Sequence, residues 1–139
     1  GEFEKNLNYM PGFKSLHTMV IKNYKTALVT ASPKHNLNWV RTIIDLDYYF
    51  ENILSGEETT KNKPHPEPYL EMMSRLNVKP SNTIIIEDSL NGIHAGLKSG
   101  AFVIAKTGSV PTKELSIAHK IISSLNEINK SLIEELLQK

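Results

Sequence analysis

The sequence predicts an α/β protein, a parallel sheet with helices on both faces. Three observations carry this. Short apolar, often β-branched runs alternate with segments whose apolar residues recur at helical spacing. The strongest run, Thr83-Ile84-Ile85-Ile86, is continuous rather than alternating, which suits a strand covered on both sides. The runs stop at small polar, glycine or acidic residues, and helix signals follow, the pattern of parallel strands joined by helical crossovers.

Taken in order, Leu16, Met19, Val20 and Tyr24 predict an amphipathic helix over 13–24. Thr26-Ala27-Leu28-Val29-Thr30 is a first strand. Ser32-Pro33 then offers a preferred N-cap and a proline suited to the first helical position, so 33–44 reads as a helix burying Leu37, Val40, Ile43 and Ile44. Ile53-Leu54-Ser55-Gly56 is a second strand. A polar stretch, Glu57 to Lys63, leads to Pro64-His65-Pro66, which fixes an extended turn and opens a helix over 67–76 with Tyr69, Leu70, Met73 and Leu76 on its apolar side. Thr83 to Asp88 is the third strand. A helix over about 90–98 follows, with Gly100 placed for a left-handed C-terminal cap. Ala95-Gly96 gives that helix a small-residue face for close packing. Phe102-Val103-Ile104-Ala105 is a fourth strand, Lys120-Ile121-Ile122 a short fifth, and 130–138 a final helix.

The 139 residues suit a single domain able to bury its own core. With no cysteine, disulfide frameworks, thiolate metal sites and cysteine nucleophiles are excluded. Sixteen cations against 15 acids leave a net charge of +1, so nothing argues for nucleic acid or an anionic membrane as partner. No apolar run approaches the roughly 18 residues of a membrane-spanning helix, and the N-terminus does not read as a signal peptide. A soluble cytoplasmic protein is the expectation. The histidines at 17, 35, 65, 94 and 119 have no paired spacing for zinc.

In open parallel sheets, ligands sit beyond the carboxyl ends of the strands. There the first strand delivers Thr30-Ala31-Ser32 just before a helix N-terminus, where a hydroxyl and backbone N–H groups make a ready anion site. Ser32 as a simple N-cap is the plainer reading. The third strand delivers Glu87-Asp88-Ser89. Adjacent acids beside a core need a partner, and a hard cation such as magnesium is one; capping of the next helix by Asp88 or Ser89 is the other reading. Lys63 is held by the following prolines and is better placed than most lysines to meet a fixed charge.

These segments, Leu28-Val29-Thr30-Ala31-Ser32, Lys63-Pro64-His65-Pro66-Glu67-Pro68-Tyr69 and Ile84-Ile85-Ile86-Glu87-Asp88-Ser89-Leu90-Asn91-Gly92-Ile93-His94-Ala95-Gly96, together with Ser99-Gly100, resemble the haloacid dehalogenase superfamily, in its branch of β-phosphoglucomutase-like and small-metabolite phosphatases. Order and spacing agree over roughly residues 10–125. The resemblance implies a Rossmann-like three-layer core. It implies that Thr30, with backbone at Ala31 and Ser32, holds the phosphoryl group. Lys63 would neutralise the charge of nucleophile and phosphate, and Glu87 with Asp88 would hold Mg2+. Lys63 and Asp88 are thus the catalytic candidates, and a small phosphorylated metabolite is the expected substrate. Phosphoryl transfer suits such a set, because its catalysis is mostly positioning and charge stabilisation.

The family's nucleophilic aspartate belongs to an Asp-x-Asp motif on a central first strand, followed by a substrate-selecting cap. Neither is found here. Residues 1–12 resemble the last cap helix and its linker, and 13–139 an incomplete core. Ile43-Ile44-Asp45-Leu46-Asp47 mimics the motif, but it follows the Thr30 segment instead of preceding it, and Tyr49 stands where a small residue is expected. It reads as a helix-to-strand connection. The chain has three aspartates, Asp45, Asp47 and Asp88, so no other nucleophilic pair is available.

The expectation is therefore a piece of a longer phosphatase. Two strand edges would then be open to a missing N-terminal segment or a second chain, magnesium would bind weakly, and Lys63 would either rest on Asp88 or point to solvent while the acids cap the helix that follows. The alternative is a non-catalytic remnant or interaction module that keeps the fold and a vestigial phosphate or metal site. An unrelated nucleotide-binding domain is disfavoured, since no Gly-x-Gly-x-x-Gly follows a strand.

Overall fold

The computed structural model describes residues 12–108 and 110–138. The expectation for residues 1–11 therefore lies outside the described residues. The elements run α1 (Phe13–Val20), β1 (Ala27–Val29), α2 (Lys34–Arg41), α3 (Leu46–Tyr49), β2 (Asn52–Leu54), α4 (Glu67–Leu76), β3 (Ile84–Glu87), α5 (Leu90–Ser99), β4 (Phe102–Lys106), β5 (Lys120–Ile122) and α6 (Lys130–Leu137). Short 3₁₀ turns occur at Pro80–Asn82, Thr112–Ile117 and Leu125–Glu127.

All strand pairings are parallel, but they form two sheets, β1–β2 and β3–β4–β5. Among the described residues no strand joins β1 to β3. This is the arrangement expected of a family core without its central strand. The core is nevertheless continuous across the seam on one side. Helix α4 buries Tyr69 and Met73 against Ile85, Val103 and Ala105, and Met72 and Leu76 against Leu54. Val29 and Val78 pack against both groups.

The three-layer reading follows from β4. Val103 and Ala105 point to α4 and α5, while Ile104 between them points to α6, where Leu132, Ile133 and Leu137 are buried with α1's Phe13, Leu16 and Val20 against them. A strand whose successive side chains all enter a core must be apolar without interruption. Gly96 lets α5 lie close to the sheet: a β-carbon there would fall 2.8 Å from Val103 Cγ2. Gly100 closes the helix with φ +88°, the left-handed conformation a glycine adopts without steric cost.

Two helices are shorter than expected, and the second strand ends at Leu54 rather than Gly56. Helix α1 stops at Val20 rather than 24. The helix expected over 33–44 spans Lys34–Arg41, with Pro33 as its N-cap and no side-chain capping bond, so neither Ser32 as N-cap nor proline at the first helical position is realised. The chain breaks after Arg41 because Asp45 starts a new turn, its carboxylate accepting the Tyr48 N–H that caps α3. Asp47 is 69% exposed and pairs with Arg41 at 3.2 Å. Both members of the Asp-x-Asp mimic thus hold a helix end in place.

Candidate active site

The carboxyl ends of β1 and β3 meet at one ammonium group. Lys63 Nζ donates to the Val29 carbonyl at 3.0 Å and to Glu87 Oε2 at 2.6 Å. It therefore ties the last residue of one sheet's strand to the last residue of the other's. Tyr69, one turn into α4, donates its hydroxyl to the same Glu87 oxygen and places its ring 4.9 Å below the ammonium. On the other oxygen, Ser89 Oγ stands 3.4 Å from Oε1, while the same hydroxyl caps α5 by accepting the Gly92 N–H at 3.0 Å. Glu87 is 9% exposed. Its strand parity explains this: it shares the inward face of Ile85, whereas Ile86 between them is exposed.

Lys63 owes its place to the loop before it. The Glu67 carboxylate accepts the N–H groups of Thr60 and Lys61, and Glu58 accepts the Ser55 N–H and an Arg75 guanidinium. Burial pushes the Glu58 carboxyl up, but the Ser55 N–H and Arg75 outweigh it and hold the group below its usual range. The Lys63–Pro64 peptide is cis, and His65 Nδ1 accepts the Glu67 N–H at the start of α4.

The anion site read at Thr30-Ala31-Ser32 is engaged internally. The Thr30 N–H extends the ladder to the Leu54 carbonyl, and its hydroxyl accepts the Ser32 N–H at 3.1 Å. Gly56 N–H donates to the Ser32 carbonyl, and no side chain fits at Gly56, because its β-carbon would meet the Ala31 oxygen at 2.1 Å. At the head of α2, Glu57 Oε1 accepts the Lys34 N–H at 2.8 Å. A carboxylate of the chain itself thus lies at the helix end proposed for phosphate.

The sequence model of the haloacid dehalogenase-like hydrolases matches residues 2–106. The chain belongs to this family. A phosphorylated carbohydrates phosphatase of Thermotoga maritima is 33% identical over 99 residues, covering 70% of this chain and 46% of that protein. Hexitol phosphatase B of Escherichia coli O157:H7 is 33% identical over 103 residues, covering 73% of this chain and 46% of that protein. The chain thus spans about half the length of the curated relatives it matches. Among solved structures, a family IA hydrolase from Entamoeba histolytica superposes with a TM-score of 0.86 at 27% identity, over 94% of this chain and 61% of that one. β-Phosphoglucomutase of Clostridium difficile gives 0.80 at 31% identity, over 93% and 56%. No helix among the described residues is long and apolar enough to cross a membrane.

Magnesium is commonly held by one or two carboxylates, with water and phosphate completing its shell, and among the described residues of this haloacid dehalogenase-like core no group of three His, Cys, Asp or Glu side chains converges. Glu87 is turned inward onto Lys63 and Tyr69. Asp88 is half-buried at the strand end, and its charge acts on the Tyr69 hydroxyl. The lysine's counter-ion at 2.6 Å is therefore the first acid of the pair, where the sequence suggested the second.

Tyr69 is the residue that sequence reasoning missed. It read as one more apolar position of α4. The available signal was its hydroxyl, since a buried tyrosine needs a partner for its O–H. Burial first, then the charge and hydrogen bond of Glu87, then the charge of Asp88 push its ionisation well above the ordinary value of 10.0, so the phenol stays a donor.

Proposed function

We propose that this chain forms the phosphate-side half of a phosphohydrolase acting on a small phosphorylated metabolite, with Lys63 as the fixed cation of the site. The observation that carries this is the position of the Lys63 ammonium at the junction of two strand ends, bonded to the Val29 carbonyl and Glu87. A cation immobilised before the reaction needs no reorganisation as phosphoryl charge develops, which is where most catalysis of this chemistry lies. Thr30, Ala31 and Ser32 lie at the adjacent strand end and would receive the phosphoryl oxygens once Glu57 leaves the head of α2. The phosphoryl acceptor in this reading is an aspartate outside these 139 residues, forming a phospho-aspartate that water then hydrolyses. Asp88, beside Glu87 at the end of β3, is the acid that this reading assigns to a metal. The cytoplasm is the proposed location.

The 139-residue chain is expected to show no turnover of a generic aryl phosphate. A longer protein that includes the segment before residue 1 is expected to show turnover that Lys63→Ala removes. Turnover that survives Lys63→Ala in that longer protein would refute the assignment. A second reading, a non-catalytic module with the family fold, draws on the engagement of Ser32 N–H by Thr30 and of Lys34 N–H by Glu57. It is the reading left standing if the longer protein is folded and inert.

A further inference from the structure

We propose that Tyr69 is a positioning residue that locks Glu87 onto Lys63, so that Glu87 serves this chain as the lysine's counter-ion and not as a ligand for a divalent cation. Three independent features converge on this arrangement. Strand parity puts Glu87 on the inward face with Ile85. Gly92 leaves the hole into which the carboxylate fits, since a β-carbon there would lie 2.1 Å from Glu87 Cδ. Lys63 Nζ and Tyr69 Oη then donate to the same oxygen, and the tyrosine ring also carries the ammonium.

Tyr69 thus touches both members of the pair. It is buried in α4 among Met73, Ile85 and Ile93, so it can hold them without moving itself. For Glu87 to reach a cation, its carboxylate would have to leave the hole above Gly92 and give up the two donors on Oε2, one of them charged, together with the longer bond from Ser89 to Oε1. A hydrogen bond to a charged group is strong enough that losing one changes a competing equilibrium by about tenfold or more. The phenol therefore decides which partner Glu87 takes. The proposal deepens the site reading above, and rests on it for the chemical use of the lysine.

The test uses the 139-residue chain, with Mn2+ alone as the probe and water-proton relaxation as the readout of binding. Tyr69→Phe keeps the ring and removes only the hydroxyl; far-UV circular dichroism checks that it folds. Wild type and Glu87→Gln are expected to bind Mn2+ with indistinguishable affinity, including no measurable binding by either. Tyr69→Phe is expected to bind about tenfold more tightly than wild type, and Tyr69→Phe combined with Glu87→Gln is expected to lose that gain. Amine-detected NMR gives a second signature, in which the Lys63 ammonium protons exchange with water faster in Tyr69→Phe than in wild type. Weaker Mn2+ binding by Glu87→Gln than by wild type would overturn the proposal, because Glu87 would then already be a ligand. Unchanged Mn2+ affinity in a folded Tyr69→Phe would overturn it equally. If Tyr69→Phe does not fold, the comparison of wild type with Glu87→Gln still decides. No phosphate ester enters these measurements, so their outcome is separate from whether the longer protein turns one over.

Discussion

Gly92 faces the Glu87 carboxylate so closely that a β-carbon on it would fall 2.1 Å from Cδ and 2.2 Å from Oε1. The glycine sits in the first turn of α5, where alanine would ordinarily be favoured by about 1 kcal/mol. Here the carboxylate cannot retreat without giving up Lys63 and Tyr69. Gly92→Ala is expected to destabilise the chain by about 1–3 kcal/mol, the usual cost of overpacking, read as a lower urea midpoint at unchanged slope. In a Glu87→Ala background the same change should be neutral or stabilising. Equal losses in both backgrounds would show that the close approach is not the cause.

Alkaline pH should weaken the fold through Tyr69. Its folded ionisation lies well above 10.0 because burial, and then Glu87 and Asp88, oppose a second negative charge. The neutral phenol is thus preferred by the native state, so its contribution is complete below the unfolded value of about 10. It is lost progressively as pH rises above that and through the folded value. Urea midpoints followed upward from pH 9 should fall more steeply for wild type than for Tyr69→Phe. Parallel curves would count against this.

The Glu67 strap should govern how rigidly Lys63 is presented. Glu67→Ala removes the acceptor for both the Thr60 and Lys61 N–H groups. Two exposed hydrogen bonds to a carboxylate are worth about 1–3 kcal/mol locally, so the loop should open more often while the core stays folded. Limited trypsin digestion should cut after Lys61 faster in Glu67→Ala, with the melting temperature nearly unchanged. A melting loss with no change in cleavage would contradict this.

The inner edges of β1 and β3 should make the 139-residue chain associate. Among the described residues β1 pairs with β2 and β3 with β4, each on one side, and an unpaired edge presents N–H and C=O groups to any passing strand. Sedimentation velocity is expected to show concentration-dependent oligomers. A single monomeric species up to micromolar concentration, with one cooperative unfolding step, would show that the seam is closed by other means.

Much of this protein is determined locally. Helical spacing in 67–76, the continuous Ile84-Ile85-Ile86 run and Gly100 after Ser99 each place an element to within a residue or two, because periodicity and capping act between near neighbours in the chain. The position of Lys63, Glu87 and Asp88 at strand and helix ends follows from the same reading, and so does the structural role of Asp45. Tertiary structure decided the partnerships. Which of two adjacent acids meets Lys63 depends on which face of β3 is covered by α4, and adjacent strand residues point to opposite faces. That Tyr69 is a hydrogen-bond donor rather than only a core ring depends on an acid 18 positions away. That Glu57 reaches the head of α2, and Glu67 the loop before Lys63, depends on how two connections fold over the sheet. These relations are set by burial and by the need to satisfy buried polar groups, which act through space between residues that the linear sequence keeps apart.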